Sequence, residues 1–239
     1  MSAAAVEAVG LRKRFGRLEV LQGLDLAIAT GAVTAVVGPN AAGKSTFIKA
    51  VLGLVRPDGG QLRVLGADPR DGDRYRTRVG YMPQLARFPE NLSGTEVLQL
   101  LSGLRGHPED QDRELIDTFA LGSQLHKPVR TLSGGTRQKL NAVVAFMFRP
   151  ALVILDEPTA GLDPVSSAQF KDKVLAARAA GTTVMLTSHL MGEVEELADR
   201  IAFLLEGRIH FHGTVSELRE RTGEPKLERA VARLTTEAA

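Results

Sequence analysis

Gly38, Gly43, Lys44 and Ser45 fill the pattern GxxxxGK[ST] within the run Gly38, Pro39, Asn40, Ala41, Ala42, Gly43, Lys44, Ser45, Thr46. Residues of these types at this spacing can hold a phosphate. Successive backbone N–H groups and the positive end of a following helix lack carbonyl partners, and an oxyanion can replace them. Lys44 would then meet the β- and γ-phosphates, and Ser45 would offer its hydroxyl to Mg²⁺. The plain alternative is a glycine-rich turn that matches by accident. The context argues against it, because the apolar run Val33–Val37 precedes the loop and a helix-competent stretch, residues 47–54, follows it.

Three further groups fall where the same chemistry needs them. Asp156 closes the apolar run 151–155, so its carboxylate can reach a Mg²⁺ ion beside the phosphates. Glu157 follows and can orient or deprotonate an attacking water. His189 comes just after the run Thr183–Thr187, where an imidazole can bond the γ-phosphate or that water. Ser133, Gly134 and Gly135 precede an apolar helical stretch, residues 140–148, and make a second anion site from a hydroxyl, backbone N–H groups and a helix dipole. A chain with two such sites brings both to one phosphate most simply as a head-to-tail dimer.

Composition sets the bounds. In 239 residues, Lys+Arg (30) and Asp+Glu (28) nearly balance, which makes no case for nucleic acid as a partner. With no cysteine there is neither a disulfide framework nor a thiolate metal site. No apolar stretch reaches the roughly 18 residues of a membrane span, so no direct membrane insertion is expected. The N-terminus shows no basic signal region, which predicts a chain that is soluble and not exported. His107, His126, His210 and His212 lack any placement that suggests metal.

The elements that must position these residues are legible as patterns. Residues 6–11 and 18–21 read as short strands around a basic turn at 12–17, with a third strand alternating through Leu24, Leu26 and Ile28. Phe15, at a strand edge, can stack on a base face, although an ordinary core phenylalanine is the plainer reading of the residue alone. A strand over 61–65 and another over Val79–Met82 follow. Residues 85–149 then turn helical, and charges such as Glu109, Asp110, Asp112, Arg113 and Glu114 read as solvated helix faces. Apolar runs at 151–155, 183–187 and 201–205 alternate with helices at 166–180 and 193–199, the signature of a doubly wound α/β sheet with ligands at its carboxyl edge. Glu206-Gly207 reads as a hairpin turn, and Leu227, Ala230, Val231 and Leu234 share one face of a short tail helix.

Taken in order, GPNAAGKST, Gln84, LSGGTRQ, LVILDEP, AGLDP and TSH resemble the ATP-binding cassette of ABC transporters over about residues 6–214. The resemblance implies an α/β P-loop NTPase: a RecA-like core over 1–84 and 150–221 with an N-terminal antiparallel β-subdomain, an inserted α-helical subdomain over 85–149, and a tail over 222–239. It implies ATP and Mg²⁺ clamped between two copies, with ATP hydrolysis driving a separate transmembrane permease from the cytoplasmic face of the membrane. On that basis Phe15 is similar to the adenine-stacking aromatic, and Gln84 to the residue linking metal and water to the membrane partner. Asp163 is similar to the loop contact across the dimer, and Ser133 and Gly135 would bind the γ-phosphate in trans. The segment from Gln84 to Glu90 would grip the permease. Metal ligation falls to Ser45, Gln84 and Asp156, and catalysis to Glu157, His189 and Gln84. Within the family, YMPQLARFPENLSG and LSGGTRQKLN look like the ATPase of the system that matures the copper centre of nitrous-oxide reductase. The main alternative is a soluble cassette ATPase acting on ribosomes or nucleic acid. One departure stands out: Ala41 occupies a position where the family usually has glycine, and the loop is expected to tolerate it.

Overall fold

A computed structural model describes residues 4–106 and 111–237. Strand β1 (Ala4–Phe15) pairs antiparallel with β2 (Leu18–Ala29) and, on its other side, with β4 (Gly59–Val64). Two of the expected short strands are therefore one long strand, β2. The alternation that suggested a break is a β-bulge: the β1/β2 register slips near Gly10 and Gly23, both at positive φ, and the chain runs on without losing its partner. The basic stretch is likewise mostly strand, with only Gly16 and Arg17 in the turn. Two of its charges are paired, Arg12 with Glu19 at 2.9 Å and Lys13 with Asp58 at 2.9 Å.

The second sheet runs in the order β5 (Val79–Met82), β6 (Leu152–Asp156), β7 (Thr183–Thr187), β3 (Val33–Val37), β8 (Arg200–Leu205), β9 (Arg208–Gly213). The first five strands are parallel, and β9 returns antiparallel from the Glu206-Gly207 turn. Every residue of β3 and β7 is buried, as continuous apolar runs demand of a sheet covered on both faces. Alternate side chains divide between two cores. Val33, Ala35, Val37, Val153, Leu155, Val184 and Leu186 face most of the helices. Val36, Ile154, Met185 and Leu204 face helix α1 (Lys44–Val51) and the antiparallel sheet. The doubly wound α/β expectation holds.

The helical stretch contains α2 (Gly94–Arg105), α3 (Glu114–Thr118) and α4 (Gly134–Phe146). A capping box at Ser93 and Glu96 starts α2, and Gly106 at φ 62° ends it. Helix α4 lies directly on β5: a Cβ on Gly80 would come 2.0 Å from the Ala145 carbonyl, so only glycine permits this approach. Asp112 and Glu114 are not simply solvated. They hold the buried Lys173 of α5 (Pro164–Ala179) at 2.7 and 2.5 Å, tying α3 to the core. Glu109, Asp110 and His107 lie outside the described residues. Helix α6 (Met191–Leu197) precedes β8, and α7 (Val215–Thr222) follows β9. The sequence reading passed over α7 although its signals are local, a Thr214/Glu217 capping box and Gly223 at φ 69°. Leu227, Ala230 and Leu234 of α8 (Leu227–Glu237) are buried, and the tail packs on α6 and α7. Among the described residues, no helix is long and apolar enough to cross a membrane.

Candidate functional site

The loop between β3 and α1 turns on backbone that a side chain would obstruct. A Cβ on Gly38 would meet the Leu204 carbonyl at 2.0 Å, and Gly43, at φ 111°, is the N-cap of α1 with no side-chain cap on the helix N–H groups. Those donors are left to an anion. The loop is anchored on its far side by the β8–β9 turn: Gly207 N–H donates to the Ala42 carbonyl at 3.0 Å, while the Gly207 carbonyl accepts from Gln22 N–H of β2 at 3.0 Å. Lys44 Nζ donates back across the loop to the carbonyls of Gly38 (2.5 Å) and Pro39 (2.9 Å). Burial pushes its pKa down, and the carboxylates of Glu157 and Asp156 oppose that shift. A cradle without Cβ atoms, free helix donors, a held ammonium and carboxylates facing it fit a nucleoside triphosphate and its metal. Ser45 is exposed at the start of α1, and Pro39, Asn40 and Ala41 are exposed at the loop tip. Ala41 has φ 65°, a left-handed backbone open to L-residues at some cost.

Strands β6 and β7 end side by side, so Asp156 and Thr187 are direct partners in register. Thr187 Oγ1 donates to Asp156 Oδ1 at 2.5 Å and fixes the carboxylate at the sheet edge. Glu157 sits at φ 51°, an uncommon backbone for a non-glycine residue and one that clusters at functional sites. Its Oε2 lies 2.6 Å from His189 Nδ1 and accepts from the His189 backbone N–H at 3.3 Å. The carboxylate is mostly buried (side chain 14% exposed) and the imidazole open (69%), so the histidine is tied to the acid through Nδ1 while the rest of its ring stays accessible to a ligand. Tyr81 of β5 keeps its phenol neutral, its pKa pushed up to about 12 by burial and by the Asp156 charge.

Gln84 is exposed just beyond β5, next to the same edge. Phe15 is 49% exposed with Lys13 Nζ 5.2 Å from its ring centre, which overturns the core reading. Ser133 caps α4, accepting from Thr136 N–H at 3.1 Å, and stays exposed together with Gly134. The Gly161 carbonyl lies 3.2 Å from where a Gly135 Cβ would stand. Asp163 caps α5 and pairs with Lys139 of α4 at 3.0 Å, and its bonds to Ser166 and Lys139 hold its pKa well below the usual carboxylate range. The structure thus brings Lys44, Asp156, Glu157 and His189 together and places Ser133 and Gly134 on the α4 end. Among the described residues there is no group of three or more His, Cys, Asp and Glu able to hold a metal by itself.

Three contributors escaped the sequence reading. Thr187 ends an apolar strand, Gln138 lies between Arg137 and Lys139, and Asn141 precedes an apolar run; only the fold shows what they touch. Gln138 Nε2 donates to the Pro158 carbonyl at 3.2 Å and Asn141 Nδ2 to the Pro83 carbonyl at 2.8 Å.

Comparison with known proteins agrees with this geometry. The family model described as ABC transporter matches residues 21–160. The chain is 42% identical over 224 residues to the daunorubicin/doxorubicin resistance ATP-binding protein DrrA of Streptomyces peucetius, covering 92% of this chain and 68% of that one. It is 35% identical over 214 residues to the Nod factor export ATP-binding protein I of Ralstonia nicotianae, covering 87% of this chain and 67% of that one. Among solved structures, the ATP-binding subunit of an ABC transporter superposes with a TM-score of 0.92 at 29% identity, covering 97% of this chain and 99% of the other. The chain belongs to the ABC transporter family, as one of its ATP-hydrolysing, ATP-binding cassettes.

Proposed function

We propose that two copies of this chain clamp two ATP molecules head to tail and that hydrolysis reopens them, driving a separate transmembrane permease. The observation that carries this reading is the held pair of Glu157 and His189 facing the Lys44 loop, with a second exposed anion site at Ser133 on another helix of the same chain. Lys44 and the 38–46 backbone hold the triphosphate, and Phe15 offers a face to adenine. Ser45, Gln84 and Asp156 would hold Mg²⁺, which when bound neutralises phosphate charge. Glu157 takes the water's proton, His189 orients the γ-phosphate side, and the partner's Ser133, Gly134 and Gly135 close the site beside Asp163.

The permease docks on the segment from Gln84 to Glu90 and the neighbouring helical face. Leu85 is 72% exposed, and Leu100 and Leu104 lie one helical turn apart on α2 at 47% and 76%. These exposed leucines would give the permease an apolar footing. The chain therefore works at the cytoplasmic face of the membrane without inserting into it and without nucleic acid. Export is the direction favoured by the relative named for Nod factor export. The wording of residues 81–94 supports a second reading, service to copper-centre maturation in nitrous-oxide reductase, which the identity of the co-purifying permease decides.

The test is Glu157→Gln. The variant is expected to bind ATP and sediment as a dimer while hydrolysis falls at least 100-fold; a monomer under saturating ATP, or turnover within threefold of wild type, overturns the reading. Pull-down with the dimer recovers a polytopic membrane protein on this proposal, and ribosomes or nucleic acid on the soluble-ATPase alternative.

A further inference from the structure

The carboxyl ends of β5 and β6 lie side by side, Met82 against Leu155, and each strand leaves the sheet through a proline next to a proposed catalytic residue. Pro83 precedes Gln84, and Pro158 follows Glu157. Proline has no N–H, so its carbonyl is the one backbone polar group it contributes. Both carbonyls are taken by α4. Gln138 Nε2 donates to Pro158, Asn141 Nδ2 donates to Pro83, and Asn141 Nδ2 also reaches Gln138 Oε1 at 3.4 Å. The two amides are three apart and share one helix face. They form a continuous path from one loop to the other.

That path is unusual for where it lies. Gln138 and Asn141 are 5% and 2% exposed, among Leu140, Ala142, Val143 and Ala145 at 0–1%. Burial of two amides is tolerated only because every bond along the path is made, and apolar side chains of equal size would suit the site better if packing were its sole purpose. Two more contacts join the same helix to the same loop: Gly135 against the Gly161 carbonyl, and Lys139 with Asp163. The first three turns of α4, which begin at Ser133, cannot slide or tilt without carrying the loops of Gln84 and Glu157 with them.

We propose that Gln138 and Asn141 are positioning residues that make the Ser133 end of α4 and this chain's own Glu157 and Gln84 loops one mechanical unit. The proposal deepens the clamped-dimer reading and rests on it. Ser133 and Gly135 serve the nucleotide of one interface while Glu157 serves the other. ATP engaged by the lid at one site therefore sets the catalytic loops at the opposite site, through these two side chains.

The test uses the full chain with Asn141→Leu and Gln138→Met, which keep volume and delete the donors. Equilibrium binding of fluorescent ATP is expected to stay within about twofold, since the Lys44 loop is untouched, while kcat falls at least tenfold and the Hill coefficient for ATP drops to 1. The double variant is expected to be no worse than the more affected single one, because both substitutions cut one path. Amide hydrogen exchange in the Glu157→Gln background adds a measure independent of turnover: Asn141→Leu should speed exchange at Thr159 and Ala160 as well as at Gln84. Unchanged kcat and Hill coefficient in a wild-type-like dimer overturn the proposal alone. So do losses that add in the double variant, or faster exchange confined to Gln84. Absence of ATP-dependent dimerisation in the Glu157→Gln chain overturns the proposal and the clamped reading together.

Discussion

Ala41 shows what a single Cβ does in a phosphate loop. Its φ of 65° is the left-handed conformation, which costs an L-residue about 1–2 kcal/mol relative to right-handed backbone. The position is exposed, so the cost is local and the cradle keeps its shape. Ala41→Gly is expected to leave the Kd for ATP within about threefold, while thermal unfolding shifts upward by no more than ~1 kcal/mol of stability. Calorimetry with a nucleotide titration checks both; a tenfold gain in affinity would show that the methyl group does obstruct phosphate. Glu193, at the start of α6, raises a different issue. It is 6% exposed, and neither carboxylate oxygen makes a well-formed hydrogen bond. Burial pushes its pKa up, the Ser188 and Thr159 hydroxyls draw it partly back, and the Glu157 charge raises it further. A raised carboxyl pKa stabilises the fold most below the ordinary carboxylate range, and that contribution is lost as pH rises through the folded-state value. Glu193→Gln, which cannot ionise, should therefore unfold at a higher temperature than wild type at pH 8, with the gap closing toward pH 4. A gap that is constant with pH would mean that Glu193 ionises freely.

At the level of elements, the sheet strands were legible wherever a run was continuously apolar, because burial on both faces leaves little room for ambiguity. Val33–Val37 and Thr183–Thr187 fall where their composition puts them. The antiparallel strands were misjudged because glycines at the bulges break the two-residue period while the pairing continues. The charges of 112–114 were misjudged because nothing local announces a partner some 60 residues away, Lys173. That link makes an element-scale prediction. Lys173 is 9% exposed, and replacing it with methionine takes from Asp112, 18% exposed, its hydrogen-bonded counter-charge and leaves only the weaker pull of Arg149. Lys173→Met should cost about 3 kcal/mol in denaturant unfolding, whereas Lys173→Met with Asp112→Leu should recover most of it.

Over the whole molecule, the phosphate loop, the Asp156-Glu157 corner and His189 could be read from the chain because each is a short local pattern at a strand end. What joins them could not. Thr187, Gln138 and Asn141 act through contacts set by strand order and helix docking, and the left-handed backbone of Glu157 has no signature in composition. The molecule-scale expectation concerns the pair of chains. If each site draws on two copies, Lys44→Ala and Ser133→Ala chains each trap little ATP alone. Mixing them creates a heterodimer with one complete site, so trapped ATP should recover, up to about a quarter of the wild-type amount for random pairing of two-site dimers. No recovery on mixing counts against shared sites.

Gly207 has a consequence of its own. Its amide and carbonyl bridge the phosphate loop to β2, and a side chain there would strike the Val20 carbonyl at 2.3 Å. The loop is thus suspended between two sheets, much as a string is tuned by two pegs. A tilt of the antiparallel sheet that carries Phe15 would pull on Ala42 through Gly207, so the proposed grip on the triphosphate would respond to whatever stacks on Phe15.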